Sequence, residues 1–144
     1  MEEKWDIRFL NLAKHISTWS KDPSTKVGAV IVNDVRQVVG LGYNGFPRGV
    51  EDTEERYTDR SLKYPMTAHA ELNAVLNATA HMKGCTIYTW PLFTCNDCAK
   101  VIIQAGIKRV VSVQNPNKRW PSELAMIMYD EAEIAYCLYD VNKI

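Results

Sequence analysis

Net charge is absent from this sequence: its 144 residues carry 17 Lys+Arg against 17 Asp+Glu. Affinity for a nucleic-acid backbone comes from a Lys/Arg surplus, so a dedicated polyphosphate binder is not expected, local basic patches apart. Long hydrophobic runs are absent too. The longest strictly apolar stretches, residues 124–129 and 134–139, are six residues long, against the roughly 18 that a membrane-spanning helix needs. The opening Met1-Glu2-Glu3-Lys4-Trp5 has no apolar segment of the secretory kind, so a cytoplasmic protein is expected. Cysteine is scarce: Cys85, Cys95, Cys98 and Cys137 are the four. In a reducing compartment these are expected to be ligands or buried thiols rather than a disulfide framework. What is plentiful is apolar surface. With 47% hydrophobic residues the chain buries enough of it to offset the entropy of ordering, which excludes disorder. One globular domain spanning residues 1–144 is the expected organisation.

Hydrophobic spacing gives the elements. Trp5, Phe9, Leu12, Ile16 and Trp19 recur at steps of three and four, one face of a helix that Asp22-Pro23 stops. Residues 27–32 and 38–43 read as a β-hairpin across Asn33-Asp34. Residues 44–65 read as a long polar loop, expected to be functional at its Gly/Pro end. A helix over 66–82, with Leu72, Val75 and Leu76 on one side, precedes a strand at 85–90. A helix over 95–105, a strand at 108–113, a helix over 123–132 capped by Ser122 and a strand at 134–139 complete the chain. The order α-β-β-α-β-α-β-α-β implies a mixed five-stranded sheet with helices on both faces, antiparallel at the hairpin and parallel in the second half.

Two segments carry the chemistry: Thr67-Ala68-His69-Ala70-Glu71 and Thr94-Cys95-Asn96-Asp97-Cys98-Ala99. Each opens a predicted helix. Cys95 and Cys98 lie one turn apart on one helix face, a workable bite for zinc, and the positive end of the helix favours their thiolates. His69 supplies a third ligand. Three protein ligands leave the fourth position to water, the arrangement of a catalytic zinc. Glu71, two residues past His69, stands beside the metal without ligating it and serves as proton shuttle. Alone, His-x-Glu is common by chance, and Cys-x-x-Cys fits a redox pair or half of a structural zinc site equally well. Together at two helix starts separated by one strand, they converge on a single sheet edge.

On these residues the chain resembles the cytidine/deoxycytidylate deaminase superfamily, and within it the compact bacterial and phage deoxycytidylate (dCMP) deaminases. The marks are His69-Ala70-Glu71-x-Asn73-Ala74, Cys95-Asn96-Asp97-Cys98-Ala99-Lys100, Val27-Gly28-Ala29-Val30-Ile31-Val32 and Gly42-Tyr43-Asn44-Gly45-Phe46-Pro47-Arg48-Gly49. The last is the discriminating one, since the zinc segments are shared across the superfamily. One departure stands out: the family usually has Pro before its first cysteine, where this chain has Thr94. The resemblance implies a three-layer α/β/α cytidine deaminase-like fold, a catalytic Zn²⁺ and hydrolytic deamination of dCMP to dUMP and ammonia, which supplies dUMP for dTMP synthesis. It also implies a homohexamer in the cytoplasm (the host's, for a phage-encoded member). Activation by dCTP with Mg²⁺ and inhibition by dTTP belong to the same expectation.

Asn44 resembles the family's sugar-contacting Asn, and the backbone near Ala70 and Cys95 is expected to hold the base edge. Lys26 and Arg119 are the phosphate candidates, and Trp120 is a candidate to pack on sugar or base. Gly42, Tyr43, Gly45, Phe46 and Arg48 are the candidate effector-nucleotide segment, since glycines admit a ligand close to the backbone. Other readings are a nucleoside cytidine deaminase, which needs no phosphate contact, and a tRNA adenosine deaminase, disfavoured by the neutral charge. A structural zinc module without turnover requires Cys85 or Cys137 as fourth ligand.

Overall fold

The computed structural model describes residues 2–116 and 121–144. Helix α1 (Glu3–Ser17) buries Asp6, Phe9, Leu10, Ala13, Ile16 and Ser17. Of the predicted stripe only Phe9 and Ile16 are buried, while Trp5 and Leu12 are half-buried at its margin. Glu3 and Asp6 in its first turn and Lys14 and His15 in its last oppose the helix dipole. It ends at Ser17, so Trp19 lies past it, 51% exposed and edge-on to Tyr43. Strands β1 (Gly28–Val32) and β2 (Val38–Tyr43) form the expected antiparallel hairpin, with a register shift between Ile31 and Val32.

The polar stretch that follows is not a bare loop. It contains helices α2 (Glu54–Thr58) and α3 (Arg60–Met66), capped by the side chains of Thr53, which accepts from Arg56 N–H, and Asp59, which accepts from Ser61 N–H. Helix α4 (Ala70–Leu76) is much shorter than the predicted 66–82. Its start is delayed because Ala68 pairs with Gly45 in an isolated antiparallel bridge that keeps the chain extended up to His69. Its end comes at Leu76, which is 72% exposed and so adds nothing to the core.

The remaining elements are β3 (Thr86–Trp90), α5 (Asn96–Gln104), β4 (Arg109–Gln114), α6 (Glu123–Glu131), β5 (Ala135–Asp140) and a 3₁₀ turn at Val141–Lys143. The sheet order is β2-β1-β3-β4-β5. Pairings β1–β2 and β1–β3 are antiparallel, and β3–β4 and β4–β5 parallel. Alternation sorts the strands onto two faces. Val30, Val32, Tyr88, Val111 and Val113 meet Phe9, Leu10, Ala13 and Ile16 of α1. Ala29, Ile31, Ile87 and Val110 pack with residues of α4, α5 and α6, among them Ala74, Ile102 and Tyr129. The result is the expected three-layer α/β/α arrangement. A buried Leu10 or Ile102 contributes about 1.5–3 kcal/mol, and two such layers fix the sheet edge from which α4 and α5 depart.

Candidate active site

Two helix N-termini build the site. His69 is the N-cap of α4, held extended (ψ 153°) by the Gly45–Ala68 bridge. Cys95 is the N-cap of α5, and its Sγ accepts the Cys98 N–H at 3.5 Å. Cys98 lies one turn on. His69 Nδ1 stands 3.2 Å from Cys98 Sγ and 3.5 Å from Cys95 Sγ, and the three ligand atoms lie within 4.8 Å of one another. Tetrahedral zinc with its usual Zn–S and Zn–N lengths requires ligand separations of about 3.5–3.8 Å, so this donor set fits zinc in chemistry and in spacing. Among the described residues no fourth His, Cys, Asp or Glu joins the cluster. Cys85 lies apart, its thiol directed at His81 O (3.8 Å).

The cluster polarises its own members. A hydrogen bond from the Cys98 thiol, helped by the His69 ring, pushes the Cys95 thiol down to about 4. Cys98 is held above its ordinary value by that same bond and by burial, and the bond to Cys95 raises His69. Glu71, on the first turn of α4, is buried at 5% exposure. Burial lifts its carboxyl above the ordinary range, opposed only in part by a hydrogen bond with Cys98 and by the nearby imidazole.

His69, Glu71 and Cys95 line a cavity of about 420 Å³. Leu92 and Phe93 give it an apolar wall. The facing wall is polar and comes from three separate segments: Asp22, Ser24 and Thr25 after α1, Asn44 after β2, and Lys63 in α3. Lys63 Nζ donates to Asp22 Oδ1 at 3.0 Å, and both side chains are buried (8% and 5% exposed). That ion pair escapes sequence reasoning, because its members lie 41 residues apart. Asp22 reads as a helix stop and Lys63 as part of a long polar loop.

The other sequence candidates divide. Ala70 lines the cavity. Asn44 does as well, but its amide is committed: Oδ1 accepts the Val27 N–H, and Nδ2 donates to Thr25 O. Lys26 does not line the cavity, and its ammonium is bound instead by the Ser20 carbonyl. Arg119 and Trp120 lie outside the described residues. Gly42 is buried under α4, where a Cβ would meet Ala74 N and lie 2.6 Å from Ala70 O. Its lack of a side chain admits the close approach of the helix. Tyr43 is exposed and packs edge-on to Trp19, and Gly45 pairs with Ala68. Phe46 stacks on Tyr57 at 4.4 Å, and Arg48 is exposed, reaching Asn77 Oδ1 at 3.2 Å. Ser122 precedes α6 as expected but caps nothing with its side chain. Its hydroxyl donates instead to Thr94 O (3.2 Å).

Fold and cluster together define an α/β protein with a three-ligand zinc-type centre bordering a cavity and a buried carboxylic acid beside it. Comparison with known proteins carries this further. The model of the cytidine and deoxycytidylate deaminase zinc-binding region matches residues 3–114, and the chain belongs to that family. It is 48% identical over 116 residues to the deoxycytidylate deaminase of Mus musculus, an alignment covering 75% of this chain and 64% of that enzyme. To the deoxycytidylate deaminase of Pongo abelii it is 40% identical over 140 residues, 92% of this chain and 78% of the relative. The crystal structure of the dCMP deaminase from cyanophage S-TIM5 in complex with dCMP and dUMP shares the fold. The TM-score is 0.77 at 24% identity, over 96% of this chain and 98% of that one. The chain thus spans just under two thirds of the mouse relative's length.

Proposed function

We propose that the chain catalyses the zinc-dependent hydrolytic deamination of dCMP to dUMP and ammonia. The observation that carries this reading is a His69/Cys95/Cys98 cluster whose His69 and Cys95 line one cavity together with a buried carboxylic acid, Glu71. The names of the mouse and Pongo abelii relatives and the dCMP-bound phage structure support the choice of substrate. Held by His69, Cys95 and Cys98, zinc supplies a water whose pKa is lowered toward about 7, which makes a nucleophile available at neutral pH. Glu71 accepts the proton that this water gives up and passes it to N3 of the cytosine, which readies C4 for attack. Addition of the water oxygen to C4 leaves a hydroxyl there. Glu71 takes that second proton and delivers it to N4, so that the C4–N4 bond breaks, ammonia leaves and the C4 carbonyl forms. A carboxyl whose proton affinity is raised by burial suits a group that must both take and give.

Leu92 and Phe93 exclude water from the base. At the start of α4, the Ala70 N–H has no acceptor within the helix and serves the base edge. The sugar and 5′-phosphate take the polar wall, with Asn44 as sugar contact through its remaining acceptor capacity. Lys63, with the Ser24 and Thr25 hydroxyls, takes the phosphate role for which Lys26 is poorly directed. Effector control by dCTP with Mg²⁺ and by dTTP is part of the proposal, assigned to the segment of Gly42, Tyr43, Gly45, Phe46 and Arg48. A homohexamer covering exposed Trp19, Leu124 and Ile127 belongs to it as well. No helix among the described residues is long and apolar enough to cross a membrane, in keeping with a cytoplasmic enzyme.

The test is an absorbance assay of the zinc-loaded protein on dCMP, deoxycytidine and dCTP, with and without dCTP as effector. A charge-assisted contact to phosphate is worth roughly 1.5–3 kcal/mol, so kcat/KM for dCMP is expected to exceed that for deoxycytidine by at least ~10-fold. Equal values would move the enzyme to the nucleoside branch. A dCMP saturation curve unmoved by dCTP would remove the effector site.

A further inference from the structure

The turn that delivers Cys95 is fastened by side-chain hydroxyls. Thr94, the residue before the ligand, is fully buried, and its Oγ1 lies 2.6 Å from the Tyr129 hydroxyl. Its carbonyl accepts the Ser122 hydroxyl at 3.2 Å, and two residues earlier Leu92 O accepts the Thr89 hydroxyl at 2.8 Å. Tyr129 is itself fully buried, on α6, and its ring meets Phe93 edge-on at 5.8 Å. One tyrosine therefore contacts both the cavity-wall residue Phe93 and the residue adjoining the metal ligand. A proline in place of Thr94 would hold the turn through its fixed φ, but a threonine leaves φ free. Here the restraint passes instead through the side chain to α6.

We propose that the Thr94–Tyr129 hydrogen bond positions Cys95 for the metal, with Tyr129 as a positioning residue of the zinc site. Removing either hydroxyl leaves the other buried without its partner and releases the turn. Groups that orient a ligand in this way typically cost 10–100-fold in metal affinity when lost. The inference rests on the zinc reading of the cluster.

Four single variants and one double variant test it: Tyr129→Phe, Thr94→Val, Thr94→Ser, the pair Thr94→Val/Tyr129→Phe, and Tyr88→Phe as control. Tyr88→Phe removes a buried tyrosine hydroxyl from Asp6 on the opposite face of the sheet. Zinc affinity is read by chelator competition, ligand geometry by the visible absorption of the cobalt-loaded protein, and folding by Tm. Tyr129→Phe and Thr94→Val are expected to weaken zinc binding by ~10-fold or more and to alter the cobalt spectrum. The double variant is expected to be no worse than the weaker single, and Thr94→Ser to match the wild type. Tyr88→Phe is expected to lower Tm while leaving zinc affinity and the spectrum in place. Wild-type affinity and spectrum in both Tyr129→Phe and Thr94→Val would overturn the proposal. So would fully additive losses in the double variant, or an equal loss of zinc in Tyr88→Phe. A wild-type chain that binds no zinc would overturn the metal reading and this inference with it.

Discussion

Glu71 sits where a carboxyl is costly to keep, buried and within reach of two thiols and an imidazole. Among the described residues no Lys or Arg forms an ion pair with it. Glu71→Gln keeps the shape of the side chain and removes proton transfer, so turnover of dCMP should fall by about 10²–10⁴-fold while zinc content is unchanged. Metal analysis alongside a steady-state assay checks this, and turnover within tenfold of the wild type would remove Glu71 as the shuttle. The His69, Cys95 and Cys98 cluster was legible in the sequence because metal chemistry restricts both residue type and spacing. The Asp22–Lys63 pair was not, since nothing local relates two charges that meet only after α3 folds back over the segment following α1. The partner of Lys26 was equally illegible: a cation just ahead of a strand looks available, whereas the Ser20 carbonyl holds its ammonium.

At the scale of elements, the position of the metal site depends on how closely α4 approaches β2. Asn73 Nδ2 donates to Tyr43 O at 2.8 Å and Asn77 Nδ2 to Leu41 O at 3.2 Å, pulling the helix onto the strand. Gly42 lies between them, and Ala70 O and Ala74 N stand where a Cβ would go. Gly42→Ala should therefore push α4 outward, carrying His69 and Glu71 with it. Overpacking of this kind costs about 1–3 kcal/mol. A lowered Tm with weakened zinc binding is the expected result, against near-neutral Gly45→Ala, whose Cβ would meet nothing within 4 Å. A Gly42→Ala protein with wild-type Tm and zinc affinity would show that the contact relaxes freely. The strands and α1, α5 and α6 were readable because a period of two or of 3.6 runs through them. The caps of α2 and α3, Thr53 and Asp59, were present in the sequence but hidden in a charge run that carries no apolar stripe. The overlong α4 came from the opposite error: Leu76 continues the helical pattern, yet it faces solvent.

The whole molecule is tied across its α1 face by one charge. Asp6, fully buried on α1, accepts the Tyr88 hydroxyl at 2.8 Å from β3 and the Tyr139 hydroxyl at 2.7 Å from β5. From β4 it takes both arms of the Arg109 guanidinium, at 2.8 and 2.6 Å. Burial by itself would raise the Asp6 carboxyl; the Arg109 fork and the two phenols outweigh it and hold the group below its ordinary value. The sign follows. A carboxylate whose folded pKa is depressed contributes stability that is fully present above its unfolded pKa, about 3.9, and that is lost as pH falls through the folded value. Asp6→Asn should cost about 3–5 kcal/mol at pH 7, toward the lower end because the Arg109 side chain keeps 20% of its surface in water. Urea unfolding of variant and wild type at pH 7 and near pH 3 measures the gap, and any loss of zinc in acid is common to both proteins and cancels. The gap should narrow in acid, where the wild-type carboxyl begins to take up the proton that the amide can never lose. A gap of equal size at both pH values would mean that Asp6 acts through shape and hydrogen bonding alone, with its charge contributing nothing to holding α1 on the sheet.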